Sequence, residues 1–328
     1  MTKKIIFLSL CSLLLALCCA VEGQQAGKVF RIGFLDSSTA SGSAVLVNAF
    51  LQELSKVGWI EGKNIAIEYR FAEGKVERLP ELASDLVRLK VDLIVVTATP
   101  AALAAKKATT TTPIVMASGG DPVGAGLVAS LARPGGNVTG LSSLGELNTK
   151  RLEILKDAVP KLARVGLLRP PQTTAISDEL QIKELRLAAV ALKLKLEEIE
   201  TKLDSKALEI AFQSAKEKQV GAIMTISRAF FAERKQFVEL AGKHRLPAIY
   251  PQKEFVDEGG LMSYGADNTD LYRRATVYVD KILKGAKPAD LPVQQATKFE
   301  FIINLKTAKQ IGLTIPNRVL ERANRVMR

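Results

Sequence analysis

Apolar and polar residues follow two alternating patterns along most of the chain. Short continuous apolar runs, such as Val29–Asp36 and Val91–Thr97, are typical of parallel strands that are buried on both faces of a sheet. Between these runs, apolar residues recur at helical spacing, as in Ala44–Val57 and Arg78–Leu89, and predict amphipathic helices. Strands that alternate with helices in this way predict parallel sheets with right-handed helical crossovers.

The same succession of elements begins again about 130 residues later, an offset that indicates a duplicated unit. Val220–Ile226 repeats the pattern of Val91–Thr97, and Leu246–Tyr250 repeats that of Thr112–Met116. The sequence therefore predicts an α/β fold of two Rossmann-like lobes, each built on a parallel sheet.

Further elements follow the second unit, namely a helix over Leu271–Leu283 and a strand over Phe299–Asn304. Such late elements predict that the chain crosses between the lobes more than once, so we expect a hinge of several short crossings. The expected division comprises a signal peptide (1–23), a first lobe (28–141 and 268–290) and a second lobe (142–267 and 291–328).

The first 23 residues have the pattern of a secretory signal peptide. Lys3 and Lys4 precede an apolar run over Ile5–Leu17, and small residues follow that run. Cleavage is expected after Gly23, with cleavage after Ala20 as the alternative. A retained anchor helix is the other interpretation, but the apolar run is shorter than the ~20 residues that span a bilayer. We therefore expect export to the periplasm.

All three cysteines of the chain, Cys11, Cys18 and Cys19, lie within this segment. The processed chain would therefore carry no disulfide and no thiolate metal site. Bacterial lipidation would require a small residue before the modified cysteine, whereas Leu17 precedes Cys18 and Cys18 precedes Cys19. We expect no lipid anchor.

The chain has a formal net charge of +12, which indicates a basic surface. The distribution of the basic residues argues against a nucleic-acid partner. Lysines and arginines are scattered along the predicted helix faces, and no basic run is interleaved with aromatic residues. Aromatic residues make up 5% of the chain, which argues against a stacking platform for bases. We expect a solvated basic surface around a packed core, because 47% of the residues are apolar.

Candidate catalytic chemistry is scarce in this sequence. His244 is the single histidine, and its position at a predicted helix end is typical of a surface residue. No group of His, Cys, Asp and Glu residues has metal-ligand spacing. We expect a protein that is not an enzyme and that holds no cofactor or metal.

The stretch Gly124–Ala129 matches the glycine pattern of a dinucleotide-binding turn, and Glu146 follows at a suitable spacing. Two features argue against a nucleotide site. The stretch follows the fourth predicted strand, whereas such turns usually follow the first. In addition, Asp121 would place an anion beside the pyrophosphate.

The loops that follow the predicted strands carry many small hydroxyl side chains. In open parallel sheets, ligands bind at the carboxyl ends of the strands, where helix N-termini offer free N–H groups. Hydroxyls and N–H groups would hold a carboxylate, Asp121 would hold an ammonium group, and tyrosines would form a wall. The candidate ligand-binding residues are Ser37, Ser38, Thr97, Thr99, Ser118, Asp121, Ser143, Arg169, Thr173, Ser227, Tyr250 and Tyr264.

Several of these side chains have a structural alternative. Ser37, Thr99 and Ser143 could cap helices instead of binding a ligand. Thr99 precedes Pro100, the pattern of an N-cap followed by proline at the first helical position. Asp121 could brace its own turn.

Stretches with a shared family pattern extend from Val29 to Pro316. They are Arg31–Leu35, Val57–Ile65, Glu68–Arg70, Pro113–Val115, Gly120–Leu131, Arg133–Gly140, Gly259–Gly265, Ile282–Pro288 and Asn304–Ala308. Together these stretches resemble the ABC transporter substrate-binding proteins of the tryptophan/tyrosine-uptake type. The basic C-terminus, Arg322–Arg328, departs from the acidic stretch with which relatives often end.

The resemblance implies a type I periplasmic-binding-protein fold with the ligand in the cleft between the lobes. It also implies that the turn at Gly124–Ala129 is a family feature that holds no cofactor. We expect a monomeric periplasmic protein that captures an amino acid or related carboxylate and delivers it to an ABC permease and its ATPase. The alternative is a binding protein that senses its ligand and acts on a membrane receptor.

Overall fold

The computed structural model describes residues 28–143, 147–171, 176–202, 204–226, 228–231 and 233–328. The predicted signal peptide and two candidate ligand-binding residues, Thr173 and Ser227, lie outside these ranges. Within the ranges, no helix is both long and apolar enough to cross a membrane.

A six-stranded sheet forms the first unit. Its strands are β1 (Phe30–Asp36), β2 (Ile65–Phe71), β3 (Leu93–Val96), β4 (Ile114–Met116), β5 (Val138–Ser142) and β11 (Gln294–Gln295). They lie in the order β11-β5-β4-β3-β1-β2, and every pairing between them is parallel. The helices of this unit are α1 (Ala40–Lys56), α2 (Leu79–Arg88), α3 (Thr99–Ala108) and α9 (Asn268–Leu283).

A seven-stranded sheet forms the second unit. Its strands are β6 (Arg164–Arg169), β7 (Lys195–Glu200), β8 (Ala222–Thr225), β9 (Ala248–Tyr250), β10 (Met262–Ala266), β12 (Phe299–Asn304) and β13 (Arg325–Met327). Their order is β13-β12-β10-β9-β8-β6-β7. The helices are α4 (Leu147–Ala158), α5 (Ile176–Ala191), α6 (Ser205–Glu217), α7 (Arg234–Lys243), α8 (Glu254–Asp257), α10 (Leu305–Ile311) and α11 (Asn317–Leu320).

The two sheets share one strand order, since β5-β4-β3-β1-β2 in the first corresponds to β10-β9-β8-β6-β7 in the second. The predicted α/β fold with two parallel-dominated sheets is confirmed. The exception is the antiparallel pair of β10 and β12. Because β11 runs parallel to β5, it ends at the same edge of the first sheet as β5 does. β12 therefore enters the second sheet at the end where β10 leaves it, and runs in the opposite direction.

The chain passes between the two units three times, after β5, after β10 and between β11 and β12. The second and third passages are joined, because the backbone N–H of Asp267 donates to the carbonyl oxygen of Lys298 at 3.0 Å. The predicted division assigns residues 291–328 to the second lobe. Val293 donates to the carbonyl oxygen of Leu131 at 2.8 Å, and β11 pairs with β5, so the start of this segment belongs to the first sheet.

Each sheet is covered by apolar side chains on both faces, which gives four core clusters. α9 follows the second sheet in sequence but packs against the first, where Leu271 and Tyr272 join Phe34 and Phe50 in one cluster. This packing fixes the second passage between the units, because α9 buries its apolar face against the first sheet.

Candidate functional site

The polar loops at the carboxyl ends of the strands lie on facing edges of the two units. β1, β3, β4 and β5 end at one edge of the first sheet, and β6, β8, β9 and β10 end at one edge of the second. The edges approach each other closely, since a Cβ atom placed on Gly42 would lie 3.5 Å from Cε1 of Phe231. Gly42 is in the first turn of α1 and Phe231 follows β8, so the polar loops of the two units face each other across this contact.

The loop between β1 and α1 is organised by a buried carboxylate. Asp36 accepts hydrogen bonds from the backbone N–H of Ser38 at 2.8 Å and from the hydroxyl of Ser43 at 2.6 Å. The N-cap of α1 is Thr39, which accepts from the N–H of Gly42 at 3.0 Å, so Ser37 is not the cap. The buried hydroxyl oxygens of Ser37 and Ser38 have no hydrogen-bond partner among the described residues.

Thr99 joins two cleft loops and does not cap a helix. α3 begins at Thr99 itself, its N-cap is Ala98, and no side chain caps it. The hydroxyl oxygen of Thr99 accepts from the backbone N–H of Gly120 at 3.0 Å. The loop after β3 is thereby tied to the loop after β4. The two other candidates on these loops, Thr97 and Ser118, are buried.

Ser143 and Asp121 take part in the same loop cluster. The hydroxyl of Ser143 donates to the carbonyl oxygen of Gly119 at 2.6 Å, which joins the loop after β5 to the loop after β4. Asp121 is exposed and accepts from the N–H of Val123 at 3.0 Å. Of its two expected roles, the structure therefore favours bracing of its own turn.

The turn at Gly124–Ala129 does not have the geometry of a dinucleotide site. No helix follows this turn, whereas a pyrophosphate is held by a helix N-terminus. The amine of Lys106 donates hydrogen bonds to two carbonyl oxygens of the turn, that of Gly126 at 2.6 Å and that of Leu127 at 3.1 Å. In the part of the chain that the structure describes, no three metal-binding side chains are grouped either.

In the second unit, Arg169 is already neutralised. Its guanidinium lies 3.3 Å from the carboxylate of Glu198 and 2.5 Å from that of Glu200. Both glutamates are on β7, the strand next to β6, which ends at Arg169. A ligand carboxylate would have to compete with these two acids.

The two candidate tyrosines have different surroundings. Tyr264 is partly buried on β10, and its ring stacks on that of Phe299 at a centroid distance of 6.4 Å. Tyr250 was expected to form a cleft wall, but it is buried in the core, where its ring stacks on Phe255 at 4.7 Å. Burial raises the pKa of the Tyr250 phenol. The ring lines a cavity of about 210 Å³ between α7 and α10.

Arg151 is a buried cation that sequence reasoning missed. It lies on α4, its side chain is 6% exposed, and its Nε donates to the carbonyl oxygen of Tyr264 at 2.6 Å. Nη1 donates to Oδ1 of Asn148, whose Nδ2 in turn donates to Oε1 of Gln181 at 2.8 Å. Burial lowers the pKa of Arg151 to about 9, so the guanidinium is charged at neutral pH.

The sequence carries one signal for this residue. Arg151 stands four positions after Leu147 and four before Leu155, in the apolar stripe of α4. A charged residue on such a stripe is buried, and buried charges are usually paired or functional.

The structure has two parallel-dominated α/β units, three passages between them and polar strand-end loops on facing edges, which is the architecture of two-lobed solute-binding proteins. The family of "ABC transporter substrate binding protein" matches residues 40–327, and the chain belongs to that family. It is a solute-binding protein and not an enzyme. The predicted resemblance is confirmed.

The tyrosine-binding protein of Clostridioides difficile (strain R20291) is 30% identical to the chain over 265 residues, which cover 80% of this chain and 75% of that protein. Among solved structures, a conserved domain protein from Vibrio cholerae is 30% identical, covers 91% of this chain and is itself covered completely, with a TM-score of 0.84. These similarities extend over both units.

Two further solved structures differ in their ligand state. An ABC domain from Streptococcus pneumonia in complex with L-Trp is 28% identical, with a TM-score of 0.82 over 91% of this chain and 99% of that one. A ligand-free, open substrate-binding protein from Clostridium difficile is 27% identical, with a TM-score of 0.65 over the same shares. At nearly equal identity, the arrangement of this chain is closer to the L-Trp complex.

Proposed function

We propose that the chain binds an aromatic amino acid of the tyrosine or tryptophan type in the cleft and delivers it to an ABC permease. The observation that carries the proposal is the similarity to a tyrosine-binding protein and to an L-Trp complex over nearly the whole described chain. An ATPase partner of the permease would drive uptake. The binding protein itself would act as a monomer.

Polar atoms at the cleft edges support an amino acid as the ligand. The hydroxyls of Ser37 and Ser38 and the amide oxygen of Gln252 are buried without a hydrogen-bond partner in the described structure. Ser37 and Ser38 follow β1, and Gln252 follows β9. Leaving such a group unpaired costs about 1–3 kcal/mol, which a ligand with complementary donors and acceptors would offset.

The division of the chain supports capture by closure of two lobes. We propose a first lobe of residues 28–143 and 268–295 and a second of residues 147–267 and 296–328, joined by the three passages. Short passages of this kind suit a hinge motion, and clefts between lobes are favoured ligand sites. The signal-peptide pattern of residues 1–23 supports export to the periplasm.

Isothermal titration calorimetry tests this function. The processed chain from Gln24 is unfolded in denaturant, freed of bound solute, refolded, and titrated with L-tyrosine, L-tryptophan, L-alanine, L-glutamate and D-ribose. We expect one site with a micromolar or lower Kd for an aromatic amino acid and no heat from the other solutes. Saturable binding of only a non-aromatic solute, or no binding by correctly refolded chain, would contradict the proposal.

A further inference from the structure

We propose that Arg151 forms a subsite that holds the carboxylate of the ligand. This inference rests on the proposed function, because it assigns the end of the amino acid that Arg151 would bind. It adds a residue outside the hydroxyl-rich loops, on the helix that follows the first passage between the units.

The charge of Arg151 has no acidic partner among the described residues. Its side chain is 6% exposed, and none of the ion pairs between described residues includes it. A buried charge is costly unless it is paired and hydrogen bonded. The guanidinium has more N–H donors than its two acceptors, the Tyr264 carbonyl and Asn148 Oδ1, can occupy. Its remaining donors are therefore available to an anion.

Arg151 lies close to two of the passages between the units. α4 is the first helix after the first passage, and Tyr264 is near the end of β10, the last strand before the second passage. Nη2 of Arg151 lies 3.9 Å from the point where a Cβ atom of Gly265 would be. A side chain at Gly265 would collide with the carbonyl oxygen of Pro251, so the glycine allows the loop after β9 to pack against β10 beside the guanidinium.

The neighbouring network fixes the orientation of the guanidinium. Asn148 accepts from Nη1 through its side-chain oxygen, and Gln181 holds the amide of Asn148 by accepting from Nδ2 at 2.8 Å. Asn148 is 5% exposed, so this contact is shielded from water. A guanidinium held in one plane is suited to bidentate recognition of a carboxylate.

The chemistry of the other cations near the cleft favours a ligand with one carboxylate. Arg169 is paired with Glu198 at 3.3 Å, and Arg234, which lies over the Phe231 ring, is paired with Glu258 at 3.1 Å. Of these three arginines, only Arg151 has no ion-pair partner among the described residues. One carboxylate matches that charge, whereas a phosphate or a dicarboxylate would bring an additional negative charge without a partner.

The test compares L-tyrosine with L-tyrosinamide, which lacks the carboxylate charge, by calorimetry. The proteins are the wild type, Arg151→Gln, Arg151→Lys and the neighbouring surface control Lys150→Gln. We expect the wild type to bind the acid at least about 30-fold more tightly than the amide, since losing one partner of a buried charge pair has effects of this order. Arg151→Gln should remove this preference, Arg151→Lys should retain part of it, and Lys150→Gln should leave it unchanged.

Two outcomes overturn the subsite. The first is wild-type protein that binds tyrosinamide as tightly as tyrosine. This result would overturn the subsite even if Arg151→Gln failed to fold, because it needs no variant. An Arg151→Gln variant that folds and keeps the preference for the acid would show that Arg151 only braces the hinge through Tyr264.

A failure of the proposed function can be told apart from a failure of the subsite. If the wild type binds no aromatic amino acid, the Tm of each protein is measured in sodium acetate instead. Sodium chloride at the same ionic strength is the reference. A Tm raised by acetate in the wild type and in Lys150→Gln, raised less in Arg151→Lys and unchanged in Arg151→Gln, would support the carboxylate subsite alone. An equal response of all variants would overturn it.

Discussion

At the scale of single residues, Asp36 organises the first cleft loop from beneath. Its carboxylate is completely buried at the end of β1 and is not part of any ion pair between described residues. The positive end of the α1 dipole and two hydrogen bonds compensate the charge. The hydroxyl of Ser43 is therefore structural, whereas those of Ser37 and Ser38 have no hydrogen-bond partner among the described residues and are the ones that we propose for the ligand.

Replacing Ser43 by alanine should destabilise the chain. The substitution removes the 2.6 Å hydrogen bond to Asp36 and leaves a buried carboxylate oxygen without that donor. We expect the free energy of unfolding to fall by about 1–3 kcal/mol in urea denaturation. Ser41→Ala is the control, because Ser41 is exposed in the same turn and should change stability by less than about 0.5 kcal/mol. Equal effects of both substitutions would contradict the structural role of Ser43.

At the scale of elements, the apolar pattern predicted the strands whose two faces are both buried. β12 has the predicted bounds, Phe299–Asn304, and β1 and β3 fall within predicted apolar runs. β11 was missed because Gln294–Gln295 has no apolar periodicity. It is a strand only because the third passage holds it beside β5, a tertiary effect that local sequence does not encode.

The candidate site was predictable only in part, for a related reason. Topology places strand-end loops at one edge, so the loops of Ser37, Thr99 and Ser143 could be found from the sequence. The partner of each side chain depends on distant loops, as the contact between Thr99 and Gly120 shows. Arg151 was missed because its burial follows from the packing of α4 against β10.

A substitution of Gly140 tests the packing of neighbouring strands in the first sheet. Gly140 has φ +123°, and a Cβ atom there would lie against the Met116 backbone, 2.6 Å from its nitrogen. We expect Gly140→Ala to lower the free energy of unfolding by about 2–4 kcal/mol, because either β4 must move or the backbone must strain. Gly136→Ala, with no atom within 4 Å of the added carbon, is the control. A Gly140→Ala chain as stable as the wild type would contradict the described strand contact.

At the scale of the whole molecule, the two units are close together. Gly42 of α1 approaches Phe231 of the second unit, and the TM-score is 0.82 to the L-Trp complex against 0.65 to the ligand-free, open structure. Under the proposed function, we infer from both observations that the described arrangement is the closed form. The ligand-free chain should therefore spend time in a more open arrangement.

Gly42→Leu should oppose closure without unfolding either unit. Its Cβ would lie 2.9 Å from the hydroxyls of Ser38 and Thr39, and the rest of the side chain would extend towards Phe231. We expect the affinity for L-tyrosine to fall on the order of tenfold or more by calorimetry, since closure would have to displace this side chain. Gly242→Leu is the control, because nothing lies within 4 Å of that position. Unchanged affinity in Gly42→Leu would contradict the contact between the units as a feature of the bound state.

The most direct test of ligand capture by two lobes is small-angle X-ray scattering of the solute-free processed chain during titration with L-tyrosine. The radius of gyration should fall in a saturable way as the lobes close, and L-alanine at the same concentration should leave it unchanged. A radius of gyration that stays constant at saturating L-tyrosine and L-tryptophan would contradict the account of an aromatic amino acid bound between the two units.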